Sequence, residues 1–117
     1  MIDWARVTEL RSEIGPSEFE AVVDLFLEEV EALLARLREK PSPDLYEEDL
    51  HFLKGCAANL GFRDLARLCL KSERLAVEGR AEEVDLQPIF ENYENSRTAF
   101  LDGVAGLAAE DSTVRRA

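Results

Sequence analysis

Histidine is nearly missing from this chain: one imidazole, His51, in 117 residues. Cysteine is almost as scarce. Cys56 and Cys69 fit no metal-site spacing, and both fall near apolar helix faces, so buried reduced thiols are expected. Bases are in deficit, with 14 Lys and Arg against 25 Asp and Glu and a net charge of −11. That balance argues against nucleic acid or an anionic membrane surface as partner, because both need clustered cations. It favours solubility, or a partner presenting a basic rim. No apolar run approaches the roughly 20 residues a membrane span requires. The opening Met1-Ile2-Asp3-Trp4 lacks the basic flank and apolar stretch of a signal peptide, so a cytoplasmic location is expected. No segment shows strand alternation, and there is no internal repeat or low-complexity tract.

What the chain does have is helical periodicity. Hydrophobic content of 46% with 33% charged residues is that of one globular helical domain. Ile2, Trp4, Val7, Leu10 and Ile14 form a short amphipathic segment closed by Gly15-Pro16, expected to lid one end of a bundle through Trp4 and Leu10. Ser17 with Glu20 fits a capping box. Phe19, Val23, Phe26, Val30, Leu33 and Leu37 then recur at alternating fours and threes, a bundle seam that stops near Lys40, before Pro41-Ser42-Pro43. Asp44 with Glu47 offers a second capping arrangement, for the helix that carries His51, and Asn59-Leu60-Gly61 marks its stop.

The following helix begins near Phe62 and runs through Leu65, Leu68, Cys69, Ser72, Leu75 and Ala76 to Gly79. After a connection over 80–84, Asp85 caps the last helix, with Pro88 in its first turn. Its stripe is Leu86, Phe90, Tyr93, Arg97, Phe100, Val104 and Leu107, and helicity should fade after Ala109. These elements predict an all-α, antiparallel up-down-up-down four-helix bundle with a short additional N-terminal helix. The domain spans 1–109, and 110–117 is a polar tail. A monomer is expected, since the seams are used up within one core.

The chemistry concentrates on the third long helix. At about 100° per residue, Leu50, Leu53, Ala57 and Leu60 cluster on one side while His51 points almost directly away. The face of His51 carries Glu47 and Glu48 one turn earlier, and Lys54, Gly55 and Ala58 after it. Glycine in a helix interior costs about 1 kcal/mol relative to alanine. Clearing space around His51 is a sufficient reason for Gly55.

A lone exposed histidine is ordinarily just solvated; Gly55, Ala58 and Lys54 weigh against that here. A metal site fits poorly. Glu48-x-x-His51 has the spacing used in di-iron bundles, but those need two such pairs facing inward. Cysteine–histidine hydrolysis fits no better, because both thiols point to the core. A nucleophile that accepts a group from a macromolecular partner fits the residues. Neutral imidazole is nucleophilic near pH 7, with an unperturbed pKa of about 6.5. On a convex helix it can be inserted into another protein's active site, where Lys54 would compensate the oxygens of a transferred phosphoryl group. Glu47 and Glu48 are either plain solvated positions, or one of them accepts from Nδ1–H and leaves Nε2 free. Phe52 either packs against a neighbouring helix, the reading put slightly ahead, or supplies the apolar part of a docking patch.

His51-x-Leu53-Lys54-Gly55 followed by Asn59-Leu60-Gly61 resembles the signature of the histidine-containing phosphotransfer domains of multistep phosphorelays. The resemblance covers about residues 15–109. It implies that His51 is phosphorylated on Nε2, that Lys54 contacts the phosphoryl group, that Gly55 leaves room for the partner and that Gly61 closes the signature. It implies response-regulator receiver domains and a hybrid histidine kinase as partners, with Mg²⁺ and an acidic pocket supplied by the receiver and no cofactor of the chain's own. No P-loop pattern is present, so the chain reads as an intermediary and not a kinase. Family members often carry glutamine on the next helix, where this chain has Glu73; an acid is a poor phosphate ligand, which counts against second-helix support of the phosphohistidine. Cys56 stands where a small, often hydroxylated, residue is frequent. The alternative is a non-catalytic bundle of the same fold that binds or sequesters a receiver.

Overall fold

A computed structural model describes the backbone of residues 1–116 and the side chains of 1–107. The described residues form five α-helices and two short 3₁₀ turns: α1 (Trp4–Ile14), α2 (Pro16–Glu39), α3 (Tyr46–Leu60), α4 (Arg63–Val77) and α5 (Gln87–Arg116), with turns at Pro43–Leu45 and Ala81–Glu83. There is no strand among them, only an isolated bridge between Ile2 and Phe62. The chain is a helical bundle. Its core takes Val23, Val30 and Leu34 from α2, Leu50, Leu53 and Leu60 from α3, Leu65 and Cys69 from α4, and Ile89, Tyr93 and Phe100 from α5. At one end α1 lies over this core. Leu10 is buried, and the Trp4 ring stacks on Phe100 with centroids 6.2 Å apart, lying against Gly103.

Several details depart from the periodicity. On α2, Phe26 is only half-buried, while Leu27 and Leu34 are in the core. The helix meets both α1 and α3, and two contact faces need a wider stripe than a single seam. On α5 the buried line is Ile89, Tyr93, Ser96 and Phe100. Arg97 therefore leaves the seam and donates from Nε to Glu31 at 3.1 Å, beside the Tyr93 hydroxyl, which donates to the same carboxylate oxygen at 2.8 Å.

Neither expected capping box forms. α2 opens with Pro16 behind Gly15 and has no side-chain cap; proline has no N–H to satisfy at that position. α3 grows out of the 3₁₀ turn with Leu45 at its cap position, so Asp44 does not cap it. Asp85 does accept, from the Gln87 amide at 3.1 Å. α5 continues past Ala109 to Arg116, because no glycine or proline follows Gly106 to break it. The side chains of the expected tail, 110–117, lie outside the described residues.

The sharpest constraint is the reversal between α3 and α4. Gly61 takes φ 79°, ψ 19°, and its amide and that of Phe62 close the helix onto Ala58 and Ala57. The N-terminal segment sits directly on this turn, with the Asp3 amide donating to the Gly61 carbonyl at 2.7 Å. A Cβ on Gly61 would stand 2.7 Å from the Asp3 carbonyl oxygen and 3.1 Å from Val7 Cγ2. Left-handed backbone and a clash with main chain combine in Gly61→Ala. We expect a loss of about 2–4 kcal/mol in urea unfolding.

Candidate functional site

The Gly61-Phe62 turn lays α4 beside α3 and sets Glu73 against the face that carries His51 and Lys54. The His51 side chain is 70% exposed, and its Nδ1 lies 2.8 Å from Glu73 Oε2. Lys54 Nζ donates to the other oxygen, Oε1, at 2.6 Å. Glu73 itself is only 12% exposed. The Lys54 hydrogen bond holds this carboxyl below the usual glutamate range; desolvation opposes it, and the contact with His51 adds to the lowering. Glu73 is therefore ionised at neutral pH and can only accept. In the neutral ring the proton therefore sits on Nδ1, and Nε2 is the nitrogen left free.

The sequence read Glu47 and Glu48 as plain solvated positions, with an acceptor for Nδ1–H on one of them as the alternative; both are exposed, as the first reading has it. The acceptor is Glu73, across the hairpin. Glu47 and Glu48 are exposed and, with Asp44, His51 and Glu73, line an open hollow of ≈ 320 Å³. Gly55 has nothing within 4 Å of where its Cβ would be, and Ala58 is exposed, so the ground on that side of His51 is open. Phe52 is 44% exposed and stands outside the core cluster, contrary to the packing role put ahead for it.

Both cysteines are buried and unpaired. Burial pushes the Cys69 thiol up to about 12, with Glu73 adding to the rise, and burial followed by Glu29 raises Cys56, so neither offers a thiolate. One half-buried pair escaped the reading of the sequence: Arg36 Nη2 donates to the buried Asp49 at Oδ1, 2.5 Å away, and Asp49 Oδ2 is buried without a partner among the described residues. Its position four residues before Leu53, on the apolar side of α3, was the available signal. No helix among the described residues is long and apolar enough to cross a membrane.

His51 thus presents a largely exposed ring, backed on Nδ1 by a fixed carboxylate. The family model for the Hpt domain matches residues 21–110, a span that holds His51, Lys54, Gly55 and Glu73, and the chain belongs to that family. Hpt domains serve phosphotransfer in two-component phosphorelays, as phosphocarrier modules that interact with response-regulator receiver domains. Comparison with curated proteins and with solved structures gives no match.

Two measurements follow from this geometry. Because Gly55 is mid-helix with empty space around it, Gly55→Ala should stabilise the fold by about 1 kcal/mol in urea unfolding, which would show that the fold itself has no need of the glycine. Because the folded pKa of Glu73 is depressed, its contribution to stability is complete above the ordinary glutamate value of about 4.3 and is lost as pH falls through the lower folded value. Between neutral and acid pH, Glu73→Gln should therefore lose less stability than the parent protein. Parallel unfolding curves for the two across that range would contradict the assignment.

Proposed function

We propose that this chain carries a phosphoryl group on Nε2 of His51, exchanging it with the aspartate of a receiver domain. The observation that carries this reading is the Nδ1–Glu73 contact on a ring that is 70% exposed: the nitrogen left free is on an accessible ring. The Nε2 lone pair attacks the phosphorus of the receiver's acyl phosphate. The N–P bond forms, the P–O bond to the aspartate breaks, and the aspartate leaves as carboxylate. The proton on Nδ1 stays in place, and the positive charge that develops on the ring is met by Glu73. Lys54 uses one N–H on Glu73, and its ammonium has two more for phosphoryl oxygens. Gly55 and Ala58 leave clearance for the incoming domain, and Glu47, Glu48 and Phe52 lie where it would rest. The receiver supplies Mg²⁺ and the acidic pocket; this chain supplies no cofactor and takes nothing directly from ATP. A hybrid histidine kinase fits as the upstream source.

We read residues 1–109 as one cytoplasmic, monomeric domain, with helices in antiparallel up-down-up-down order. The pairing of Arg36 with Asp49 and of Glu31 with Tyr93 and Arg97 supports that order. Incubation with a phosphorylated receiver should label the chain on His51, with acid-labile, alkali-stable chemistry. His51→Gln should unfold within about 0.5 kcal/mol of the parent, since the residue is exposed, and take up no label. A variant that still suppressed receiver output without label would favour the alternative, a bundle that only binds.

A further inference from the structure

The charge of this chain is not spread evenly. Residues 63–80 hold five bases (Arg63, Arg67, Lys71, Arg74 and Arg80) against three acids, in a chain with 14 bases against 25 acids. The three acids are all engaged: Asp64 lies 3.9 Å from Arg67, Glu73 holds Lys54 and His51, and Glu78 lies 3.2 Å from Arg80. The side chains of Lys71 and Arg74 have no ion pair or hydrogen bond among the described residues, although acids outnumber bases almost two to one. Arg67, Lys71 and Arg74 stand at spacings of four and three, on one face of α4. With Arg80 and its ion-pair partner Glu78 they rim an open groove of ≈ 350 Å³ whose apolar lining is Leu70 and Leu75.

This face adjoins the site already described. Glu73 is on the same helix, one turn after Leu70 and one turn before Val77, and Val77 is an apolar side chain left 59% exposed. The hollow beside His51 is acidic, lined by Asp44, Glu47, Glu48 and Glu73. The helix that supplies Glu73 to this acidic hollow thus carries a basic, partly apolar face of its own.

We propose that the outward face of α4, through Arg67, Lys71 and Arg74, is a docking surface for an acidic patch on the same protein that exchanges the phosphoryl group with His51. The inference rests on the phosphotransfer reading. Two unpaired cations in a chain of this charge are complementary to carboxylates on a partner and to little on the chain itself. Oppositely charged patches near one reactive ring also fix the direction in which a partner can settle.

The test measures transfer from a phosphorylated receiver to the full chain as a function of receiver concentration and salt. Lys71→Glu with Arg74→Glu should lower the second-order rate constant about 10-fold or more at low salt, with the gap narrowing as salt rises and the saturating rate unchanged. Arg74→Glu alone should slow transfer more than Lys40→Glu, which alters net charge equally at the C-terminal end of α2, off the α4 face. Equal second-order constants for parent and double variant, or an equal loss with Lys40→Glu, would overturn the docking surface while leaving His51 as the acceptor. If phosphoramidate labels His51 but no receiver exchanges with the parent chain, the phosphotransfer reading and this surface fall together. Circular dichroism of each variant separates a docking defect from an unfolded protein.

Discussion

The chain reverses in two residues at Gly61-Phe62, and the position of every reactive group follows from how short that reversal is. His51 is nine residues before the end of α3, and Glu73 is ten residues after the start of α4. At 1.5 Å per residue the two lie about 13 and 15 Å from the turn, so they come level. A longer connection would leave the register free to slip by part of a helical turn, and a displacement of about 5 Å removes the Glu73 contact altogether. Only a left-handed residue makes the reversal, and the Asp3 carbonyl packed onto it leaves no room for a side chain. The N-terminal segment, remote from the imidazole, is thereby part of what holds the site together.

At the end of that lever one carboxylate serves two neighbours. Glu73 is largely buried, so its charge is poorly screened, and it is kept ionised by the two groups it binds. An acid on this helix is indeed a poor phosphate ligand, but it does not face the phosphate. It stands behind the ring, on Nδ1, where its negative charge would favour the cationic imidazole that the proposed transfer to Nε2 would form. The other oxygen of that carboxylate holds Lys54 close by, so in the proposed transfer the cation that would face the incoming oxygens is already positioned. Tautomer, ring orientation and ammonium are set by one side chain before any partner arrives.

The residues differ in how plainly they announced this. His51 was legible because period and composition agree: one imidazole opposite Leu53, with Gly55 and Ala58 beside it. The bundle was legible for the same reason, since stripes at fours and threes survive small errors of phase. Phase itself was not. Tyr93 and Phe100 lie on the expected stripe and in the core, but Phe90 and Arg97 flank them on one side and Ile89 and Ser96 on the other, and only packing against α2 and α4 selects the second pair. The caps failed because Ser17 and Asp44 each follow a proline that starts a helical turn by fixing φ. Local chemistry offered two solutions there, and the backbone took the one that needs no side chain. The Nδ1 acceptor was sought within α3 because sequence neighbours are visible and hairpin neighbours are not. Glu73 falls at the right place in the sequence, but as a phosphate ligand an acid has no evident use, and its partner ring lies on the other arm of the hairpin.

Charge shows the same limit at larger scale. A net charge of −11 reads as a chain that should attract basic partners, and around Asp44, Glu47 and Glu48 that is its local character. On α4 the sign reverses, because the acids there are consumed by internal contacts while Lys71 and Arg74 are not. Screening confines an exposed charge to about 8–10 Å at ordinary ionic strength. A partner at His51 therefore meets the two patches and not the sum. A surface with both signs near one nucleophile favours a single approach over its reverse, and it does so without contacting the reacting atoms. Such a carrier can tell partners apart by their rims while sharing the same chemistry with all of them.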